Sequence, residues 1–243
     1  LNKVFIVGIG PGGYEQMTIR AVRVLETCDV IIGYTVYIDL IKEYFPDKEF
    51  KSTPMKKEIE RCRMAFEEAS QGRRIAMICS GDAGIYGMAG LMYEIGEHFP
   101  AVQLEVITGV TAATAGAAVL GAPLMHDFCF ISLSDLLTPW EKIGNRLLRA
   151  AQADFVICLY NPSSRKRYDY LEKACDLVMQ YKKEDTVCGI AINIGREKEE
   201  IKIMSLKELR NTQVDMFSTV FIGNSQTKNL NGKMVTPRGY QNV

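Results

Sequence analysis

Histidine is nearly absent from this chain, which holds only His98 and His126 in 243 residues. No Cys–His or Ser–His–Asp spacing is present, so a nucleophile activated by imidazole is not the expected chemistry. Neither sign of charge is in excess: 29 Lys and Arg balance 29 Asp and Glu. Such a surface offers no basic field to a polyphosphate backbone, and nucleic acid is not an expected partner. The seven cysteines, Cys28, Cys62, Cys79, Cys129, Cys158, Cys175 and Cys188, include no CxxC pair, and several lie in apolar runs such as "FVICLY". They read as buried thiols of a reduced compartment, with no disulfide and no protein-bound metal expected. The opening residues lack the charged, apolar and small-residue order of a signal peptide, and the expected location is cytoplasmic. One long uncharged run, "TGVTAATAGAAVLGAPLM" at 108–125, has nearly the length of a membrane span. Its Thr, Gly and Ala content, with His126 and Asp127 following, reads instead as a tightly packed internal helix, and no membrane partner is expected. Repeats and low-complexity tracts are absent.

What is present is the composition of an ordinary globular protein, 47% apolar and 24% charged, with room for one large domain or two. Apolar strand-like runs alternate with helix-like runs through the first half: "KVFIVGIG", "TIRAVRVLETC", "DVIIGY", "KKEIERCRMAFEEASQG", "RRIAMICSG", "AGIYGMAGLMYEIGEHF", "VQLEVITG" and "VTAATAGAAVLG". That order implies a mainly parallel sheet covered on both faces. In the helix at 56–70, Ile59, Cys62, Met64, Phe66 and Ala69 fall to one side and Lys, Arg and Glu to the other, the pattern of a solvated outer helix. In the second half "VCGIAINIG" meets another strand after a short charged turn, a hairpin that brings in an antiparallel element. The expected fold class is α/β with two dissimilar domains: 1–120 with a mainly parallel sheet, and 127–243 with a mixed sheet.

The glycines of "VFIVGIGPGG" at 8, 10 and 13 satisfy GxGxxG. A dinucleotide cradle needs a helix that starts inside the motif and an acid at the far end of the second strand. Pro11 removes a backbone donor, the helical pattern waits for a cap at Thr18, and Asp29 precedes "VII" at the near end of its strand. A dehydrogenase is therefore not expected. Two further glycine-rich strand ends, "ICSGDAGIYG" and "VITGVTAATAG", share the character of the first, and three in series at the carboxyl edge of a parallel sheet point to a ligand pocket.

"VGIGPGGYEQMT", "SGDAGIYG", "GVTAATAG" and "GAPL", in this order, resemble the motifs of the tetrapyrrole methylases. "GAPLMHDFCFISLSDLLTPWEKI", "LYNPSSRKR" and "TPRGY" resemble the branch that methylates C17 of precorrin-3B or cobalt-factor III in cobalamin biosynthesis. Thr108 departs from the family, which often has Pro before this turn. The resemblance implies a transferase that takes its methyl group from S-adenosylmethionine in a cleft between two α/β domains, works on a tetrapyrrole, and forms a homodimer. It places the donor on Gly10, Pro11, Gly12, Gly81, Asp82, Ala83, Ile85, Tyr86, Thr111 and Ala112, with Leu159, Tyr160, Ile192, Asn193, Thr236 and Pro237 enclosing the adenine.

Methyl transfer from a sulfonium disperses charge and needs alignment and exclusion of water more than a metal or covalent nucleophile. The accompanying ring contraction needs proton movement. Candidate acids and bases are Asp82, His126, Asp135, Asp127 and Tyr86, although Asp82 and Asp135 also fit as helix caps and His126 as a linker residue. A substrate rich in carboxylates calls for local cations, and Arg165, Lys166, Arg167 and Arg196, with Arg238, follow strand ends or close the chain. Other members of the family, of precorrin-2 C20 or precorrin-4 C11 type, and a non-catalytic binding module remain open.

Overall fold

The computed structural model describes residues 2–164 and 166–240. Its contacts divide the chain into Leu1–Ala112 and Ala113–Val243.

The first unit grows from β1 (Asn2–Gly8), whose residues from Val4 onward are buried on both faces, as a central parallel strand requires. It continues through α1 (Ile19–Thr27), β2 (Val30–Tyr34), α2 (Thr35–Ile41), β3 (Glu49–Thr53), α3 (Glu58–Ser70), β4 (Ile75–Cys79), α4 (Ala89–Gly96) and β5 (Val102–Ile107). The five strands are parallel in the order β3-β2-β4-β1-β5. Side chains divide by parity between two cores. Val4, Ile6, Val30, Ile32 and Met77 join Cys62, Phe66 and Met92, while Phe5, Val7, Ile31 and Ile78 join Ala21, Leu25, Ile38 and Ile41. The expected doubly covered parallel sheet is present. Two elements have no counterpart in the sequence reading: α2, and the edge strand β3, whose "EFKST" is mostly polar. The helix expected from Ala83 starts only at Ala89.

The second unit opens with α5 (Ala112–Leu120), followed by β6 (Gly121–Ala122), β7 (Phe128–Ser132), α6 (Trp140–Gln152), β8 (Val156–Tyr160), α7 (Tyr170–Val178), β9 (Val187–Ile192), β10 (Glu200–Ser205), α8 (Leu206–Arg210), β11 (Ser218–Ile222), β12 (Lys228–Leu230) and β13 (Lys233–Val235). Its main sheet runs β10-β9-β11-β8-β7, with β7 parallel to β8 and the remaining pairs antiparallel. The expected hairpin is there, Glu200 opposite Ile192. Helices α6, α7 and α8 cover one face through Ile143, Leu147, Leu171, Val178 and Leu209. The short α8 is held by a capping box between Ser205 and Glu208.

The small-residue helix α5 groups with this second unit, whereas the expected division kept it in the first. The cause is close approach. A Cβ on Gly116 would lie 3.0 Å from the Phe221 ring, and one on Gly189 of β9 would lie 2.9 Å from Leu120. No helix among the described residues is long and apolar enough to cross a membrane.

Candidate active site

At the carboxyl edge of the first sheet the three glycine turns are one interlocked structure. Gly10 N donates to Gly81 O (3.1 Å), Gly81 N donates back to Gly10 O (2.7 Å), and Ile9 N donates to Cys79 O (2.9 Å). Gly8 and Gly109 stand so close that a Cβ on Gly109 would fall 2.1 Å from Gly81 O and 2.6 Å from Gly8 C. Gly81 has φ +68°, a conformation that glycine adopts without steric cost. All four glycines are buried, and the loops pack backbone against backbone, which leaves no room for a side chain at Gly8, Gly10 or Gly109.

Asp82 braces this edge. One carboxylate oxygen accepts from Gly84 N (2.8 Å), the other from Gly109 N (2.9 Å), tying the loop after β4 to the loop after β5. It does not cap α4, whose N-cap is Met88. Each Asp82 oxygen thus holds one backbone amide. Beside it Ala83 is fully buried and its carbonyl accepts from Ala89 N (3.0 Å). Ile85 is half-buried, and Tyr86 is 53% exposed on a left-handed backbone of φ +53°. Thr111 is buried and Ala112 half-buried.

Pro11 and Gly12 are buried in the loop after β1, which ends in a tight turn at Tyr14–Gln16. Thr18 caps α1 as its position suggested: its hydroxyl accepts from Ala21 N (3.1 Å) and donates to Thr108 O (3.1 Å). The helix thus starts well past the glycines. Asp29 lies at the near end of β2 and accepts from Arg74 N (2.7 Å). Both features exclude the pyrophosphate geometry. Gln16 Oε1 is sealed from solvent without a hydrogen-bond donor.

Arg61 was not singled out in the sequence. The helical pattern placed it on the solvated side of α3, yet it is 4% exposed, while Ile59, assigned to the core side, is 56% exposed. Its side chain reaches the end of β3: Nε donates to Thr53 Oγ1 (2.9 Å), and Nη2 reaches the carbonyls of Pro54 (3.2 Å) and Thr53 (3.5 Å). The guanidinium also stands 5.9 Å from the centre of the Tyr34 ring, at the end of β2. No signal in the sequence marked it, because the polar strand β3 whose end it reaches shows no apolar pattern.

In the second unit β7, β8 and β9 run the same way, so Ser132, Tyr160 and Ile192 end at one edge. The Tyr160 hydroxyl accepts from Ala113 N (2.9 Å) and so caps α5. Leu159 is fully buried in the core under α6 and α7. Ile192 is half-buried, and Asn193 is left-handed at φ +52°. Asn193 O accepts from Arg196 N (2.9 Å), and the Arg196 guanidinium lies 5.6 Å from the Phe217 ring centre.

At the same edge the segments after β7 and β8 are joined. Asp135 accepts from the Tyr170 hydroxyl (2.6 Å) and stands 3.7 Å from Arg167 Nη1. The Asp135 carboxylate holds the Tyr170 phenol above its ordinary pKa, through the hydrogen bond and then through burial. Arg167 Nε donates to Ser164 Oγ (3.0 Å), and its Nη1 is sealed from solvent without an acceptor. Asn161 Nδ2 donates to Ser132 Oγ (2.9 Å), and Trp140 packs on Tyr170 with ring centres 4.5 Å apart. Asp135 does not cap α6, whose N-cap is Pro139. Lys166 is exposed, as is Arg238, and Arg165 lies outside the described residues.

Four assigned residues, in two places, lie away from this edge. His126 and Asp127 precede β7, at the opposite end of the strand from Ser132, about 15 Å away by strand rise. Both are exposed, and His126 Nδ1 accepts from Asp127 N (2.9 Å). This removes His126 from the company of Asp135 and Tyr160. Thr236 is fully buried; its hydroxyl pairs with Thr227 Oγ1 (2.8 Å), beside Gly223, whose amide donates to Val187 at the start of β9. Pro237 beside it is half-buried.

Among the described residues no group of three or more His, Cys, Asp or Glu side chains is placed to hold a metal ion. Six of the seven cysteines are buried and Cys129 is half-buried, all as free thiols. Burial pushes the thiols of Cys28, Cys62 and Cys175 up to about 12, and those of Cys79 and Cys129 up to about 11.

The family model described as Tetrapyrrole (Corrin/Porphyrin) Methylases matches residues 3–210. A probable cobalt-factor III C(17)-methyltransferase of Salmonella typhimurium is 48% identical over 97% of this chain and 98% of its own length. The cobalt-factor III methyltransferase of Priestia megaterium is 43% identical over 99% of this chain, which spans 45% of that longer protein. Among solved structures, the methyltransferase CobJ superposes with a TM-score of 0.88 at 31% identity, over 96% of this chain and 99% of the other.

Proposed function

This chain belongs to the tetrapyrrole (corrin/porphyrin) methylases, and from that premise we propose how its residues serve the reaction. It is an S-adenosylmethionine-dependent methyltransferase of cobalamin biosynthesis, of the cobalt-factor III C17-methyltransferase type. The donor supplies a methyl group on a sulfonium. The observation that carries the residue assignment is the interlocked edge of the first sheet, where the loops bearing Gly10, Gly81 and Gly109 converge backbone on backbone and Gln16 Oε1 lacks a donor. These features fit a ligand with a folded, polar chain and hydrogen-bond donors.

In this reading Gly10, Pro11, Gly12, Gly81, Ala83, Ile85, Tyr86, Thr111 and Ala112 bind the donor, and Asp82 fixes their loops. Leu159, Tyr160, Ile192, Asn193, Thr236 and Pro237 are assigned to the donor by the family resemblance; for buried Leu159 the contact runs through its backbone. Lys166, Arg167 and Arg196, with Arg165, orient the carboxylates of the tetrapyrrole. Asp135 and the Tyr170 phenol that it holds move protons during ring contraction, a role that suits a phenol kept protonated. A homodimer in the cytoplasm is the assembly and location the resemblance supports.

The test is anaerobic incubation with S-adenosylmethionine and cobalt-factor III. The expected outcome is one equivalent of S-adenosylhomocysteine and a corrinoid heavier by one methyl substitution. Binding of both ligands without either product would refute the reading in favour of a carrier or sensor. Multi-angle light scattering checks the dimer.

A further inference from the structure

Arg61 carries a full charge into the first unit without a counter-ion. Its acceptors, the Thr53 hydroxyl and the carbonyls of Thr53 and Pro54, are all neutral. No Asp or Glu among the described residues lies within 4.0 Å of the guanidinium. Buried guanidinium groups are ordinarily paired with carboxylates, because neutral acceptors fix orientation but do not cancel charge in a medium of low polarity. The partly buried cations flanking α3 are paired: Lys51 and Arg73 both meet Glu49 and Glu68. Arg61 is the exception, and it sits where the sheet ends. Thr53 closes β3 and Tyr34 closes β2, at the same carboxyl edge as the glycine turns. Its third nitrogen, Nη1, has no acceptor among the described residues and is not sealed off from solvent.

Fastening the loop between β3 and α3 accounts for Nε and Nη2, which a neutral amide could also supply. It leaves the charge, which has the Tyr34 ring at 5.9 Å but no carboxylate, without a counter-ion, and Nη1 without an acceptor. We propose that Arg61 is a carboxylate anchor, receiving one carboxylate of a bound ligand end-on at Nη1. This rests on the methyltransferase reading, and two ligands of that reaction carry the group: the methionyl end of S-adenosylmethionine and the acid side chains of the tetrapyrrole. Three fixed neutral contacts hold the fork in place beforehand, so little side-chain freedom is lost on binding.

The experiment compares wild type with Arg61→Gln in the full chain. S-adenosylmethionine and its decarboxylated analogue are titrated calorimetrically. Uroporphyrin III, with eight carboxylates, is titrated by quenching of Trp140, the only tryptophan. A rise in Kd on the order of tenfold to a hundredfold for S-adenosylmethionine, absent for the decarboxylated analogue, assigns the donor. The same rise for uroporphyrin assigns the tetrapyrrole. Unchanged Kd values in both titrations overturn the proposal while leaving the methyltransferase reading intact. Failure of wild type to bind either ligand sinks that reading and this one together. If Arg61→Gln does not fold, wild type decides. At least tenfold preference for S-adenosylmethionine over the decarboxylated analogue, or for uroporphyrin over coproporphyrin with four fewer acids, supports the anchor, and equal affinities within both pairs overturn it.

Discussion

Replacing Asp82 separates a brace from a catalytic acid. In the structure its two oxygens take the amides of Gly84 (2.8 Å) and Gly109 (2.9 Å), so the carboxylate links the loops after β4 and β5. A hydrogen bond to a charged group is worth about 1.5–3 kcal/mol, but the residue is half-buried and the Gly84 contact is local. Asp82→Ala is therefore expected to cost about 2–4 kcal/mol. Asp82→Asn keeps one acceptor and turns an NH2 toward the other amide, for about 1–2 kcal/mol. For a chain of this length each kcal/mol lowers Tm by roughly 2–4 °C. Because Gly109 N is released, Gly8, Gly81 and Gly109 lose their register, and Kd for S-adenosylhomocysteine is expected to rise about tenfold in both variants. Saturating kcat should fall less than Kd rises. The assay is thermal unfolding by circular dichroism, calorimetric titration and steady-state turnover on the same preparations. An Asp82→Asn protein with unchanged Tm and Kd, but turnover reduced a thousandfold, would refute the brace and restore Asp82 as an acid or base.

Gly109→Ala drives a Cβ to 2.1 Å from the Gly81 carbonyl, where only backbone can yield, and is expected to cost about 3 kcal/mol or more; Gly90→Ala in α4, with nothing within 4 Å, should be neutral or slightly stabilising by urea titration. The cysteine thiols, raised to about 11–12 in the fold against about 9 unfolded, should react slowly with a thiol-specific disulfide reagent at pH 8, Cys129 first, and rapidly once urea is added. Their raised values stabilise the fold fully below pH 9. That stability is lost as pH climbs from 9 toward 12, by about 1.4 kcal/mol per pH unit for each thiol that ionises only when unfolded, so urea midpoints should fall steeply above pH 9. Asp135→Ala removes the acceptor of Tyr170 and the negative charge beside Arg167; the emission of Trp140, packed on Tyr170, should shift, and KM for the tetrapyrrole should rise more than kcat falls.

Buried strands and glycine turns were legible in the sequence because each follows from a local rule. An apolar run such as "VFIV" suits a strand covered on both faces, and a helix cannot start where Pro11 and the delayed Thr18 cap forbid it. β3 and α2 were not legible, since an edge strand with one wet face need not be apolar and a seven-residue helix shows barely two turns of pattern. The face of α3 was misjudged for a related reason. A hydrophobic stripe is drawn from residue type, and type says that Arg belongs outside and Ile inside. Arg61 and Ile59 reverse this because the end of β3 presents carbonyls and a hydroxyl that only a long polar side chain can satisfy. His126 shows the converse limit: its rarity drew attention, but proximity in sequence to "GAPL" said nothing about which end of β7 it would occupy.

The roles of Asp82 and Asp135 show why a carboxylate's function is not readable from its motif. Both follow a strand end, and both resemble helix caps; neither caps a helix. Asp82 meets two backbone amides, one on each oxygen, fixed donors that suit it to a positioning task. Asp135 meets a phenol and, at 3.7 Å, an arginine whose nearest nitrogen has no acceptor. Side-chain partners can move and exchange protons where backbone amides cannot. The same distinction applies to the cations. A net charge of zero argued against an anionic partner in bulk, but attraction depends on which cations remain uncompensated after internal pairing. Lys51 in β3 and Arg73 after α3 are neutralised by Glu49 and Glu68, whereas Arg61 on α3 between them is not. An electrically balanced protein thereby keeps positive charge at a sheet edge, where a polycarboxylate ligand can use it.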